Sequence, residues 1–193
     1  MSKSQINLPK TAFSMKANLP VREPEILEYW NKINLYDELR NSSKGKEKFV
    51  LHDGPPYANG HIHLGHALNK ILKDIICRSF FKLGFDVSFI PGWDCHGLPI
   101  EHKVMTEIVE KKSDKLKTLT NDQQRNIIRS ECKKYAEKFI KIQSNEMKQL
   151  LTLADYKKPY LTMNKEYECK VLEVFADLVA EGIVYRQLKP VHW

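Results

Sequence analysis

The sequence predicts an α/β fold in which parallel strands are joined by crossover helices and a helical N-terminal arm leads in. Three observations carry this. Phe49-Val-Leu-His-Asp and Phe85-Asp-Val-Ser-Phe-Ile are short apolar runs, ended by Gly54-Pro-Pro and by Pro91-Gly92. Between them Leu64, Leu68, Ile71, Leu72 and Ile75 recur at spacings of three and four, the period of a helix. Strand, loop, helix and strand within about 40 residues make a βαβ unit, whose crossover is expected to be right-handed.

Taken in order, residues 1–20 carry Pro9 and Pro20 and read as an extended arm. Arg22-Glu-Pro-Glu opens a helix, with Pro24 in its first turn and acidic residues at its positive end. Ile26, Leu27, Trp30 and Ile33 share one face of it. Residues 41–48 are polar and read as a loop. The run from Phe49 is a short buried strand. The next helix begins after Gly60, with Gly84 as its C-terminal cap. The second strand follows and stops at Pro91-Gly92. Residues 101–150 are lysine-rich and helical: Ile128, Cys132, Tyr135, Phe139 and Ile142 form a stripe, while Lys133, Lys134, Lys138 and Lys141 mostly fall off it and read as a solvated face. Residues 165–181 are a further helix, with Val171, Leu172, Phe175, Leu178 and Val179, followed by Gly182. Ile183-Val-Tyr and Lys189-Pro-Val-His-Trp read as the approach to another strand. The expected organisation is an arm and helix over 1–48 and an α/β unit over 49–193 whose apolar ending reads as a truncation.

The 193 residues are 42% hydrophobic and 28% charged, which suits a globular domain with a real core and excludes disorder throughout. No apolar run approaches the roughly 18 residues of a membrane helix. The opening Met1-Ser-Lys-Ser-Gln-Ile-Asn lacks the apolar segment of a secretory signal. A net charge of +7 favours polyanionic partners such as nucleic acid or nucleotides, although a solvated basic surface accounts for it equally well. Cys77, Cys95, Cys132 and Cys169 are scattered without a CxxC pair, so neither a zinc knuckle nor a disulfide framework is indicated. Free thiols fit a reducing cytoplasm.

The densest chemistry lies in His52-Asp-Gly-Pro-Pro-Tyr-Ala-Asn-Gly-His-Ile-His-Leu-Gly-His66. This run joins the C-terminal end of a strand to the start of a helix, where open α/β sheets bind ligands. A helix start presents free N–H groups and partial positive charge, which suits a phosphate. Gly60 and Gly65 let backbone and ligand approach closely. His63 and His66 are three apart, so both imidazoles can point to one side. Two such donors could stabilise charge that develops during displacement at phosphorus, a reaction that rests on positioning and electrostatics rather than on a protein nucleophile. The plainer reading makes them polar residues of a helix cap. Three of the chain's seven histidines within six positions, beside glycines, weigh against it.

A rival reading is a metal-dependent hydrolase. His61 and His63 form an HxH pair that His66 and His96 could complete. Such a pair normally sits on a strand, whereas here the helical period starts at or just after His63 and parts His61 from the other two. A second cluster, Ile90-Pro-Gly-Trp-Asp-Cys-His-Gly-Leu-Pro-Ile-Glu101, follows the second strand and so lies beside the first cluster at the same sheet edge. Asp94 can anchor a cation such as an α-ammonium, and Trp93 with the prolines could wall an apolar pocket. The plainer alternative is a turn with a capping aspartate.

Together these runs resemble the class I aminoacyl-tRNA synthetases, and within them the isoleucyl branch of bacterial type. His63-Leu-Gly-His66 matches the class signature usually written His-Ile-Gly-His. The longer run from Asp53 to His66, continuing Ala67-Leu-Asn-Lys-Ile-Leu-Lys-Asp74, is far more specific. Pro91-Gly-Trp-Asp-Cys-His-Gly-Leu-Pro-Ile-Glu101 separates the isoleucine enzymes from their valine and leucine relatives. Asn7-Leu-Pro-Lys, Ala17-Asn-Leu-Pro-x-Arg-Glu-Pro-Glu25 and Leu188-Lys-Pro-Val-His-Trp193 fit the same branch, so the resemblance covers essentially the whole chain.

The resemblance implies the N-terminal half of a Rossmann-type catalytic domain, stopping near the start of an editing insertion. It implies ATP-dependent activation of isoleucine to isoleucyl-adenylate and transfer to tRNA(Ile). It puts His63 and His66 at the ATP phosphates and ribose as the catalytic pair, and Asn59 and Gly65 on the ATP side. Gly54 and Pro55 fall at the isoleucine pocket, and Asp94 at the substrate ammonium. The signature motif then runs through Pro56, Tyr57, Ala58, Asn59, Gly60, His61, Ile62, His63, Leu64, Gly65 and His66. Magnesium arrives with ATP, and zinc belongs only to a C-terminal part beyond this chain. The implied enzyme is cytoplasmic, without a membrane partner, and monomeric at full length. Leu64 for the usual isoleucine is an apolar swap of equal size. His61 stands where a small residue is more usual. Members run several times longer, so the expectation is a fragment inert on its own. The competing reading, favoured by the +7 charge, is a non-catalytic paralogue that binds tRNA or a partner.

Overall fold

Residues 11–12 and 16–190 are described by a computed structural model of the chain, the side chains of 108–117 excepted. The elements are α1 (Leu19–Lys32), α2 (Leu35–Ser43), β1 (Lys48–Val50), α3 (Leu64–Lys82), β2 (Asp86–Ser88), β3 (Gly92–Trp93), α4 (Leu98–Lys117), α5 (Asn121–Gln149), β4 (Tyr160–Leu161) and α6 (Lys165–Ala180). The predicted βαβ unit is present. β1 pairs parallel to β2, with Lys48 opposite Asp86 and Val50 opposite Ser88, and α3 makes the crossover. A second parallel pair sets Gly92 opposite Tyr160 and Trp93 opposite Leu161.

α3 stops where the sequence places its cap. Gly84 has φ +98°, the left-handed region that glycine enters without penalty. Its N–H reaches the Phe81 carbonyl at 3.1 Å and the Phe85 N–H reaches Phe80 at 3.1 Å, a Schellman closure that turns the chain into β2. Packing behind the turn is aromatic: Phe80 stacks on Phe49 at 3.7 Å and meets Phe85 edge-on at 5.4 Å. One core gathers Cys77, Val87, Phe89 and Ala154, and the other gathers Ala58, Trp93, Cys95, Ile100, Val104, Ala136 and Met147 under α4 and α5.

Several expectations need correction. Most of the arm expected over 1–20 lies outside the described residues, and its last part is already helical. α1 starts ahead of Arg22, because Pro20 takes the first turn, where a missing N–H costs nothing; Pro24 sits inside the helix and no acidic residue lies in the first turn. Residues 41–43 belong to α2 rather than to a loop. Ser43 turns its hydroxyl back to the Leu39 carbonyl at 3.0 Å and to Asp86 at 3.1 Å. Arg40 adds an ion pair to the same carboxylate and ties α2 to β2. Burial opposes ionisation of Asp86, but the Arg40 and Ser43 hydrogen bonds hold its carboxyl below the usual range.

β1 is shorter than read and is not buried: among the described residues it pairs with β2 alone, and Val50 is 71% exposed. Pro91 interrupts the second run without ending β structure, since β3 resumes at Gly92 and pairs with β4, a strand not foreseen. The lysine-rich stretch is two helices, divided where Thr120 and Gln123 form a reciprocal capping box at the start of α5. Residues 183–190, read as the approach to another strand, are irregular, and 191–193 lie outside the described residues. No helix among the described residues is long and apolar enough to cross a membrane.

Candidate functional site

The signature run leaves β1 after Val50 and enters α3 at His63, the N-cap, in extended backbone (φ −119°, ψ 174°). His63 Nδ1 accepts the Gly65 N–H at 3.1 Å, and His66 Nδ1 accepts the His63 N–H at 3.2 Å. The two signature histidines therefore cap their own helix reciprocally. This fixes a tautomer: a neutral ring whose Nδ1 accepts carries its proton on Nε2, so each Nε2–H remains as the ring donor. The ring centroids are 3.9 Å apart. A Cβ at Gly65 would sit 2.9 Å from His63 Cε1, so a larger residue there would push the His63 ring out of its cap position. Burial, then the neighbouring His63 and Lys70, push the His66 pKa below the ordinary histidine value.

Behind the loop lies a buried charge cluster. Asp53, fully buried at the end of the β1 segment, accepts from Lys70, from Lys73 at 2.7 Å and from the Gly92 N–H at 3.2 Å. The Tyr160 hydroxyl donates to the Asp53 carbonyl. Lys70 is 2% exposed, and burial pushes its ammonium pKa down against the opposing pull of Asp53. Gly54 and Pro55 thus leave from a point fixed to α3, β3 and β4 at once.

The second cluster is bonded to the first. The Asp94 N–H donates to the Pro56 carbonyl at 2.8 Å and the Ala58 N–H donates to the Asp94 carbonyl at 2.8 Å, a parallel bridge between Tyr57 and Asp94. The half-buried Asp94 carboxylate accepts from the His96 N–H at 3.3 Å and from the Thr162 hydroxyl at 3.4 Å. Thr162 in turn accepts the Cys95 N–H at 2.8 Å.

α5 closes the other side. Tyr135 donates to the Asn59 side chain at 2.8 Å. Gln143 bonds Trp93, Tyr57 and Gly60. Glu146 takes the Ile62 N–H at 3.0 Å and pairs with His61, whose ring meets Phe139 edge-on. Burial raises the Glu146 pKa, but the His61 and Ile62 hydrogen bonds outweigh it and hold the carboxyl below its ordinary value. His61 accordingly turns to α5 while His63 and His66 turn to their own helix. Among the described residues no three His, Cys, Asp or Glu are grouped to hold a metal ion.

A family model described as tRNA synthetases class I (I, L, M and V) matches residues 25–193. The chain belongs to this family. Isoleucine–tRNA ligase of Pelagibacter ubique is 53% identical over 193 residues, all of this chain and 21% of that protein. The enzyme of the same name from Sulfurihydrogenibium sp. is 51% identical over 191 residues, 99% of this chain and 20% of that protein. The chain thus spans about a fifth of the length of the curated relatives it matches. Among solved structures, a ternary complex of Agrobacterium radiobacter K84 agnB2 LeuRS with tRNA and LeuAMS has a TM-score of 0.65 at 21% identity, over 89% of this chain and 19% of that one, and shares the fold.

In this class I synthetase chain the structure brings together Gly54–His66 and Asp94, as the sequence placed them. It adds Asp53, Tyr135, Gln143, Glu146 and Thr162. The α5 residues carry a readable signal, for Tyr135 is in the helical stripe and Gln143 and Glu146 continue it past Phe139 at spacings of four and three, and a glutamine on such a face is a polar group needing partners. Thr162 has no local signal: it is distant in sequence and arrives through β4.

Proposed function

We infer that the chain supplies the signature part of the adenylation site of an isoleucine–tRNA ligase. Identity above one half to isoleucine ligases along the whole chain supports the substrate. The observation that carries the site is the pair of 2.8 Å backbone bonds locking the His63–His66 loop to Asp94, since adenylation needs both substrates held in one frame.

The isoleucine carboxylate attacks the α-phosphorus of ATP. A new O–P bond forms, the bond to the β-phosphate oxygen breaks, and pyrophosphate leaves with the electron pair. His63 and His66 donate their Nε2–H groups to the phosphate oxygens, where negative charge grows, and the start of α3 adds its free N–H groups. Asn59 and Gly65 face the nucleotide, Gly54 and Pro55 wall the aliphatic side chain, and Asp94 receives the ammonium. Magnesium accompanies ATP as part of that substrate and neutralises phosphate charge. A ribose hydroxyl of tRNA(Ile) then attacks the isoleucyl carbonyl, an ester bond forms, the acyl–phosphate bond breaks and AMP leaves with the electron pair, in the cytoplasm.

Isoleucine-dependent ATP–pyrophosphate exchange by the full-length protein tests this. His66→Ala is expected to slow adenylate formation by about a hundredfold with little change in isoleucine KM. Asp94→Ala is expected to raise isoleucine KM by about ten- to a hundredfold, the worth of a hydrogen bond to a charged group. Exchange supported equally by another amino acid would reassign the substrate, and a wild-type rate in His66→Ala would remove the role given to that residue.

A further inference from the structure

We propose that Gln143 is a positioning residue of the adenylation site, the side chain through which α5 sets the nucleotide loop and the Asp94 cluster in register. The proposal rests on the adenylation reading above. Gln143 is fully buried and away from solvent. Its Oε1 accepts the Trp93 indole N–H at 2.9 Å, and its Nε2 donates to the carbonyls of Gly60 at 2.9 Å and Tyr57 at 3.1 Å. Both amide hydrogens are used, so the planar group is clamped on three sides.

The partners give the arrangement its meaning. Trp93 is the residue before Asp94, and Tyr57 and Gly60 lie on the loop that leads to His63. One amide therefore bonds both clusters. On their facing side the same strands are joined by the Pro56, Ala58 and Asp94 backbone bonds. The Gly92 N–H to Asp53 bond ties the start of the loop to β3, and the Gln143 fork ties its later part, Tyr57 and Gly60, to Trp93 from behind. Tyr135 to Asn59 and Glu146 to Ile62 brace the loop further along but reach only the loop. Without the amide, the buried Trp93 N–H and the half-buried Gly60 carbonyl lose their partner while the Tyr57 carbonyl keeps the Asn59 N–H at 2.8 Å, and the lost bonds are recovered only if the loop or β3 shifts toward water. Such a shift misplaces reacting groups without removing any of them.

The test is Gln143→Met in the full-length protein, which keeps the volume and deletes all three bonds. The expected result is a fall in kcat for isoleucine-dependent pyrophosphate exchange of about ten- to a hundredfold, with KM for isoleucine and ATP within about threefold of wild type. Gln149→Met, on the exposed side of the same helix, is the control and leaves kcat unchanged. Amide hydrogen exchange on the same proteins is expected to quicken by about tenfold or more at Ala58 and Asp94, with mid-α3 amides unmoved. A kcat within about twofold of wild type, a rise confined to KM, or unchanged protection at Ala58 and Asp94 overturns the proposal. If the wild-type protein shows no exchange reaction, the adenylation reading fails, and the amide measurement alone decides the positioning role. Should Gln143→Met fail to fold, Trp93→Phe deletes the single bond to the second cluster. It is expected to lower kcat in the same direction, and an unchanged kcat overturns the proposal.

Discussion

His66 does two jobs with one ring. Nδ1 accepts the His63 N–H and caps the helix, and in the proposed adenylation site Nε2–H serves a phosphate. Protonation at Nδ1 would destroy the cap, so the fold disfavours the charged ring, in the same direction as burial and the nearby His63 and Lys70. His66 is therefore expected to titrate below about 6.5, the ordinary histidine value. Between that value and its lowered pKa the unfolded chain binds the proton first. The stability His66 contributes is full above about 6.5 and is lost as pH falls through the folded value. NMR titration of the ring resonances reads this directly, and a midpoint at or above the ordinary value would show that the cap does not form. His61, three residues earlier than Leu64 and close by in sequence, has a different duty. It holds the loop to α5 by pairing with Glu146, so a large residue is accommodated where a small one is usual.

α3 shows what periodicity reveals and what it leaves out. Leu64, Leu68, Ile71, Leu72 and Ile75 do mark a helix, yet all are exposed, from 39% at Ile71 to 85% at Leu64. The buried side of α3 holds Lys70, Asp74 and Cys77 instead. A repeat of apolar residues reports that a face exists and says nothing of what lies against it. The polar side is buried because each charge there has a partner: Lys70 and Lys73 on Asp53, and Asp74 on Arg78 and the Leu153 N–H. Asp53→Asn is expected to cost about 3–5 kcal/mol in chemical denaturation, since it leaves a 2% exposed ammonium without its counter-charge. Lys73→Ala, at a side chain 16% exposed, should cost less. A loss below about 1 kcal/mol for Asp53→Asn would mean that Lys70 escapes to water or sheds its proton. The clusters at the ends of β1 and β2 were legible because strand, turn and helix signals are local. The partners of the α5 clamp and of Thr162 were not, because they lie 50 to 86 residues away in sequence and only the packed chain brings them together.

Across the whole molecule, stability is expected to be distributed unevenly. α5 carries Ala136, Gln143 and Met147 at full burial and is bonded to the signature loop at three places. α6 has good local signals: Glu166 and Glu168 stand in its first turn, and the Ile183 N–H closes on Leu178 at 3.0 Å. Yet none of its residues is buried, and Val171, Leu172, Val174, Phe175 and Val179 are each about half exposed or more. Among the described residues its side-chain ties to the rest of the fold sit at its N-terminal end, where Tyr167 stacks on Tyr160 at 6.2 Å and Glu168 lies 3.6 Å from His96. A helix of 16 residues is marginal in water without a packed face. α6 is therefore expected to open in a step far cheaper than global unfolding, with amides after Val171 exchanging within about a hundredfold of the unfolded rate. Amides from Ala136 to Met147 should exchange only at the global limit. Hydrogen exchange resolved by residue on the 193-residue chain measures both at once. Equal protection of α6 and α5 would refute the uneven distribution and would mean that the apolar face of α6 is covered in solution.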